Sequence, residues 1–209
     1  MNQPYLIGIA GNSGAGKTTL AQSVADVLGD SSAAIVSLDS YYLDDRNAGD
    51  DRDKLHNYDS PAALDLELLT CHLRTLVNGQ PIEQPVYDFQ LHRRNNFTTT
   101  IEPTQIIIVE GRLTFYHAPV RTLLSTKVFL SAHNHTCYKR RLIRDRRERG
   151  RTEESIHTQW KQSVEPMFVR YVEPTKKHAN INLNGEQTIA ILTKSIIRHL
   201  KSDVQLNLS

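Results

Sequence analysis

The sequence predicts a three-layer α/β fold around a central parallel sheet. A glycine-rich octapeptide, Gly11 to Thr18, separates a short apolar run from a segment with helical periodicity. Further apolar runs of strand length alternate with helix-patterned segments down the chain, as a parallel sheet with crossover helices requires. Two of those runs end in a carboxylate, at Asp39 and Glu110. In open parallel sheets, ligands sit beyond the carboxyl ends of the strands.

The elements follow in order. Residues 5–10 are the first buried strand, and 19–28 the first helix, with apolar residues at helical spacing. Residues 33–38 form a second strand ending at Asp39. Residues 61–77 read as a helix, with Ser60 as N-cap and Pro61 at the first helical position, where its missing N–H costs nothing,. Between Glu83 and Glu102 the pattern changes to short extended runs around Arg93-Arg94-Asn95-Asn96, predicting a β-hairpin insertion at about 83–102. Residues 106–109 are the third core strand, leading into Glu110-Gly111. Residues 127–130 are the fourth, followed by a basic helix whose end, about 144–155, is expected to act as a lid. Ile181-Asn182-Leu183 is a weak fifth strand, and 186–200 a closing helix. No repeat or low-complexity linker interrupts the 209 residues, which read as one domain,.

Gly11, Asn12, Ser13, Gly14, Ala15, Gly16, Lys17 and Thr18 fit G-x-x-x-x-G-K-[ST] at every fixed position, and Thr19 continues into the helix,. A glycine-rich turn there points successive backbone N–H groups at the positive end of a helix dipole. Lys17 can reach terminal phosphates, and the Thr18 hydroxyl can ligate Mg²⁺. The segment therefore predicts binding of a nucleoside triphosphate in a P-loop NTPase fold. Asp39 and Glu110 could separately be a turn cap and a structural ion pair. Both at strand ends beside a phosphate loop favour Mg²⁺ ligation and activation of a hydroxyl. Phosphoryl transfer also needs cations on the transferring group, which Arg144, Arg149 and Arg151 can supply, jointed at Gly150.

The net charge of +2 conceals an asymmetry. Eight of the 25 basic residues lie between Lys139 and Arg151, against Asp145 and Glu148; the remaining 17 face 21 acidic residues. No aromatic residue is interleaved and no second basic patch extends the segment, which argues for a phosphate clamp over a nucleic-acid surface. Cys71 and Cys137 fit no redox or metal spacing, and no run approaches membrane-spanning length,. A reducing cytoplasm is the expected setting. His133, His135 and Cys137 have no second ligand group at structural-zinc spacing,. The acidic stretch at 44–53 lacks the alternation of a calcium loop and reads as a solvated flap.

The motifs together resemble the uridine (uridine–cytidine) kinases of the phosphoribulokinase/uridine kinase group of P-loop enzymes. Beyond the glycine loop, the matching stretches are Asp39-Ser40-Tyr41-Tyr42, Asn57-Tyr58-Asp59-Ser60-Pro61 and Pro85-Val86-Tyr87-Asp88-Phe89 with His92. Val109-Glu110-Gly111, Arg140 through Asp145, Glu148-Arg149-Gly150-Arg151, Pro166-Met167 and Glu173 through Ala179 continue the series. The glycine loop is shared by many NTPases, whereas the ordered series is specific.

This resemblance implies roles. Asp39 would be the general base for a nucleoside 5′-hydroxyl, with Thr18, Asp39 and Glu110 around Mg²⁺. Asp59 and Arg141 would hold the ribose diol. Tyr42 and Tyr58 would flank the nucleoside, Tyr87 and His92 would read the pyrimidine edge, and Arg149, Arg151 and Gln159 would complete the clamp. It also implies ATP or GTP as donor and a homotetramer. The chain departs from the pattern at Ser131, where an aspartate is usual, and at Arg112, where an apolar residue is usual. Its last strand is also unusually polar. Three readings stay open: a pyrimidine nucleoside kinase, a kinase of another small hydroxyl compound such as pantothenate, phosphoribulose or nicotinamide riboside, and a nucleotide-binding regulator. The absence of an Asn-Lys-x-Asp guanine-reading element counts against the last.

Overall fold

A computed structural model describes residues 3–44 and 57–203. Most of the acidic stretch at 44–53 lies outside them. Five parallel strands form the central sheet in the order β2-β5-β1-β6-β7: β1 (Tyr5–Gly11), β2 (Ala33–Ser37), β5 (Ile106–Glu110), β6 (Thr126–Ser131) and β7 (Ile181–Asn184). Strand β1 lies at the centre, with Ile7 opposite both Ile108 and Thr126. Both faces of β1 and β5 are buried, which is why they read as continuous apolar runs rather than alternating ones. Ile7, Ile9, Ile108 and Val128 pack beneath α1 (Lys17–Leu28) and α7 (Ile189–Asp203). Leu6, Val36, Ile107 and Phe129 pack on the other face, against α2 (Leu66–Val77) and α3 (Ala118–Leu123). Strand β7 is the polar edge, alternating half-buried Ile181 and Leu183 with exposed Asn182 and Asn184.

The insertion is a separate antiparallel pair, β3 (Ile82–Asp88) and β4 (Arg93–Ile101). Its turn is Phe89 to His92, just before the Arg93-Arg94-Asn95-Asn96 run. His92 holds φ at 51° there, and the Asp88 carboxylate accepts from the N–H groups of Gln90 and Leu91.

Two helices differ from the sequence expectation. The helix expected over 61–77 is split. Ser60 caps only one 3₁₀ turn, Pro61–Ala63, by accepting from the Ala62 N–H. Leu64 is then extended and bridges to Tyr42, and α2 begins only where Asp65 accepts from the Leu68 N–H. A carboxylate beside the helix's positive end is the stronger start signal. The last helix begins at Ile189 rather than near 186, because 184–188 turns back onto the sheet, with Gly185 N–H donating to the Ser131 carbonyl at 2.7 Å.

The basic segment is α4 (Asn134–Arg149), followed by α5 (Glu153–Gln159). The chain continues helically to His178 through wider π turns on either side of a short α6 (Glu165–Met167). Pro166 removes a backbone donor inside that run.

The glycine loop packs directly on α4. A Cβ on Gly14, whose φ is +79°, would stand 2.3 Å from the Cys137 carbonyl oxygen, whereas one on Gly29, with φ +86°, would meet nothing within 4 Å. Gly29→Ala should therefore lower the melting temperature by the backbone cost alone, about 1–2 kcal/mol, or roughly 2–8 °C at this size. Gly14→Ala should lower it substantially further. Equal losses in calorimetry would refute the tight contact between the loop and α4.

Candidate active site

Glycine loop, β2 end and β5 end meet at the carboxyl edge of the sheet. Lys17 is buried, and its ammonium donates to the Asn12 carbonyl at 2.9 Å. Burial pushes it down to about 8, against the opposing pull of Glu110 and Asp39. Glu110 is buried on β5, and its Oε1 accepts from Ser37 Oγ at 2.7 Å and Thr18 Oγ1 at 3.3 Å. Burial raises its pKa, and the negative charge of Asp39 adds to the rise. Asp39 sits one residue past Leu38 in the 3₁₀ turn Leu38–Tyr41, beyond the strand rather than at its last position, with its N–H donating to Ser37 Oγ at 3.3 Å. Two neighbouring carboxylates and the Thr18 hydroxyl, facing one ammonium, make a hard-oxygen donor set of the kind Mg²⁺ requires.

The turn carrying Asp39 is locked from the hairpin. Arg94 donates from Nε to the Tyr42 carbonyl at 2.8 Å and from Nη2 to the Tyr41 carbonyl at 3.2 Å, and pairs with Asp65 at 3.3 Å. Tyr41 is fully buried, with its hydroxyl 2.9 Å from His72 Nδ1. Above this turn lies an aromatic wall. Tyr42 packs against Tyr58, Tyr87 and Phe89 at centroid distances of 6.0, 5.3 and 6.0 Å. His92 stacks on Tyr58 at 5.1 Å and 22°. The four aromatic residues expected around an acceptor, Tyr42, Tyr58, Tyr87 and His92, thus stand together, joined by Phe89.

The basic helix is organised by Asp145, a residue that sequence reading left unassigned. Of its 16 residues, Cys137, Arg141 and Asp145 are buried, a stripe at four-residue spacing that is polar at two of three positions. Asp145 has 0 % side-chain exposure and meets Arg144 at 2.8 Å, Arg141 at 3.3 Å, Arg151 at 3.6 Å and Arg149 at 3.8 Å. Burial alone would raise its pKa, but Arg141, Arg144 and Arg149 together hold it below the ordinary carboxylate value. All three residues expected on the lid, Arg144, Arg149 and Arg151, converge here, with Gly150 at φ 62° closing α4. Arg149 also lies 4.0 Å over the Phe89 ring, so the hairpin tip touches the end of the basic helix.

Asp59 and Arg141 are each engaged elsewhere. Arg141 donates to Ser13 Oγ and to Gln159 Oε1, both at 2.8 Å, and Gln159 also accepts from Arg151. Asp59 is buried against Arg112 and lies 2.7 Å from the Ser163 hydroxyl. The signals for the missed residues were present but weak. Asp145 is four residues from both Arg141 and Arg149, and Arg112 stood out as a charge in an apolar place.

A family model described as the phosphoribulokinase/uridine kinase family matches residues 6–191. Over 194 residues the chain is 40% identical to a uridine kinase of Lactobacillus helveticus, covering 91% of this chain and 92% of that one. It is 42% identical to a uridine kinase of Clostridium perfringens over 194 residues, 91% and 93% of the two chains. Among solved structures, the phosphoribulokinase of Rhodobacter spheroides superposes with a TM-score of 0.67 at 14% identity, over 87% of this chain and 70% of that one. That likeness speaks to the fold.

Asp145→Asn should strand buried arginines and cost about 3–5 kcal/mol at neutral pH. The native carboxyl is held below its unfolded value, so its contribution is present above about pH 4 and lost as pH falls through the native value,. Denaturant melts should show the gap between wild type and variant closing in acid. A gap independent of pH would contradict an ionised Asp145.

Proposed function

The chain belongs to the phosphoribulokinase/uridine kinase family, and from that premise we propose that it is a nucleoside kinase. It moves the terminal phosphoryl group of ATP or GTP to the 5′-hydroxyl of uridine or cytidine. The observation that carries this reading is the position of Asp39. Its charge acts on Lys17 and Glu110, on Tyr42 of the aromatic wall, and on Arg149 at the end of the basic helix. A general base must lie where donor and acceptor meet, and the place of Asp39 in the turn between β2 and the aromatic wall, beside Ser37 and Glu110, supports that role.

In this reading the residues of 11–19 cradle the triphosphate with backbone N–H groups, and the Lys17 ammonium exchanges the Asn12 carbonyl for phosphate oxygens. Thr18, Asp39 and Glu110 would hold Mg²⁺, which would neutralise charge on the phosphates. Tyr42, Tyr58, Tyr87 and His92 enclose the flat base, and Asp59 receives the ribose. Asp39 takes the proton of the attacking hydroxyl. Arg144, Arg149 and Arg151 place positive charge on the transferring group, with 144–155 acting as a lid jointed at Gly150. Gln159 and Arg141 link that lid to Ser13 of the loop. One catalytic domain, with the hairpin at 83–102 as its acceptor-side insertion, accommodates all of these roles.

A homotetramer in the cytoplasm belongs to the same proposal. Supporting it are the family resemblance and two free cysteines, Cys71 and Cys137. Among the described residues, no helix is long and apolar enough to cross a membrane.

Purified protein with MgATP or MgGTP should phosphorylate uridine and cytidine, identified by product mass, in preference to purine nucleosides and pantothenate. Transfer to pantothenate without transfer to nucleosides would select the alternative acceptor class. Asp39→Asn should lower turnover about a hundred- to ten-thousandfold with MgATP binding retained, and Lys17→Ala should abolish transfer. Near-normal turnover in either variant would remove that residue from the chemistry. His92→Ala and Tyr87→Phe should raise the nucleoside KM and weaken base discrimination; unchanged selectivity in both would overturn the pyrimidine assignment.

A further inference from the structure

Arg112 is a largely but not fully buried cation at the acceptor side of the pocket. It directly follows Glu110-Gly111 at the end of β5, and its side chain is 11% exposed. Nη1 donates to Asp59 Oδ1, and Nη2 donates at 3.1 Å to the carbonyl of Val164, in the helical run after α5. Its two partners, Asp59 beside Tyr58 of the aromatic wall and Val164 beside Ser163, place the guanidinium at that side. Four other guanidiniums already serve Asp145, and Arg141 is among them. The guanidinium committed to Asp59 is that of Arg112.

The surroundings of Asp59 have a particular form. Ser163 Oγ lies 2.7 Å from Asp59 Oδ2 and 2.7 Å from Asn57 Oδ1, and its single proton can serve only one of them at a time,. An ionised carboxylate accepts roughly four hydrogen bonds, about two at each oxygen. With Arg112 on Oδ1 and the serine proton free to turn to Asn57, each oxygen keeps capacity for at least one more donor. Two hydroxyl donors on adjacent carbons match that capacity.

We propose that Arg112 is a positioning residue that acts through Asp59, fixing its carboxylate as an ionised receptor for a vicinal diol and so setting the preference for ribonucleosides over 2′-deoxyribonucleosides. Ser163 is the hydroxyl that yields its place on Oδ2 when the diol arrives. This inference rests on the nucleoside kinase reading. Its physical basis is asymmetry: a buried receptor that loses one donor leaves polar groups unpaired, and so rejects the analogue strongly. A receptor whose carboxylate is free to rotate loses that discrimination.

The test is steady-state kinetics of full-length wild type, Arg112→Gln, Arg112→Lys and Ser163→Ala on uridine, 2′-deoxyuridine and 3′-deoxyuridine, with MgATP saturating. Arg112→Gln should raise the uridine KM about ten- to a hundredfold, the range for one charge-assisted contact. Its kcat should stay within about threefold, and the deoxyuridine KM values should move little, so the ribose preference collapses. Arg112→Lys keeps the charge without the planar fork and should fall between wild type and Gln. Ser163→Ala should leave the preference intact or sharpen it. An Arg112→Gln preference equal to wild type, or one in which all three KM values rise together, overturns the inference and leaves the kinase reading standing. A wild type that phosphorylates none of the three nucleosides overturns both. Should Arg112→Gln fail to fold, Arg112→Lys decides by the same ratio.

Discussion

Asp145 has no contact with solvent, so its charge is tolerable only with cations around it,. Meeting that condition arranges much of the site. Arg141 is drawn inward and reaches Ser13 of the glycine loop, while Arg144, Arg149 and Arg151 are gathered from both sides of Gly150. Gln159 accepts from Arg141 and Arg151 and so ties α5 to the same centre. A helix so rich in arginine has almost no apolar stripe with which to bind the domain. Its attachment is ionic, which suits the phosphoryl-clamping role proposed for these cations.

A second set of contacts fixes the other side of the pocket. Arg94 on β4 reaches across to the carbonyls of Tyr41 and Tyr42, and Asp65 serves both as its ion partner and as the cap of α2. One carboxylate thus sets where α2 begins and how the hairpin docks. The turn that carries Asp39 is held from the hairpin and from β5 at once, since Ser37 receives its N–H and donates to Glu110. Groups that must be placed to a fraction of an ångström rest on such second contacts.

The electrostatics have a common theme. Asp39 and Glu110 repel one another, and Lys17 is desolvated, its ammonium donating to a backbone carbonyl. On the far side, Arg141 is buried and Arg112 largely so, and burial is the first cause lowering both.

Much of the fold was legible in sequence because its causes are local. Strands buried on both faces must be apolar runs, which located β1, β2, β5 and β6 within a residue or two. The glycine loop announces itself because one backbone path, between one strand and one helix, demands those residues. Lys17, Thr18, Asp39 and Glu110 were readable because strand ends converge in any parallel sheet. The chain alone did not reveal which charges meet. The resemblance set Arg141 with Asp59 at the ribose, and nothing in the chain paired Arg112 with that carboxylate. Only packing put Arg112 there and turned Arg141 to Asp145, because a buried carboxylate takes the nearest guanidiniums the fold presents. The split at Leu64 has the same origin: Ser60 and Asp65 are both sound caps, and the bridge to Tyr42 selects between them. Local propensity determined the elements and the phosphate loop, and long-range ion pairing decided how the acceptor side was assembled.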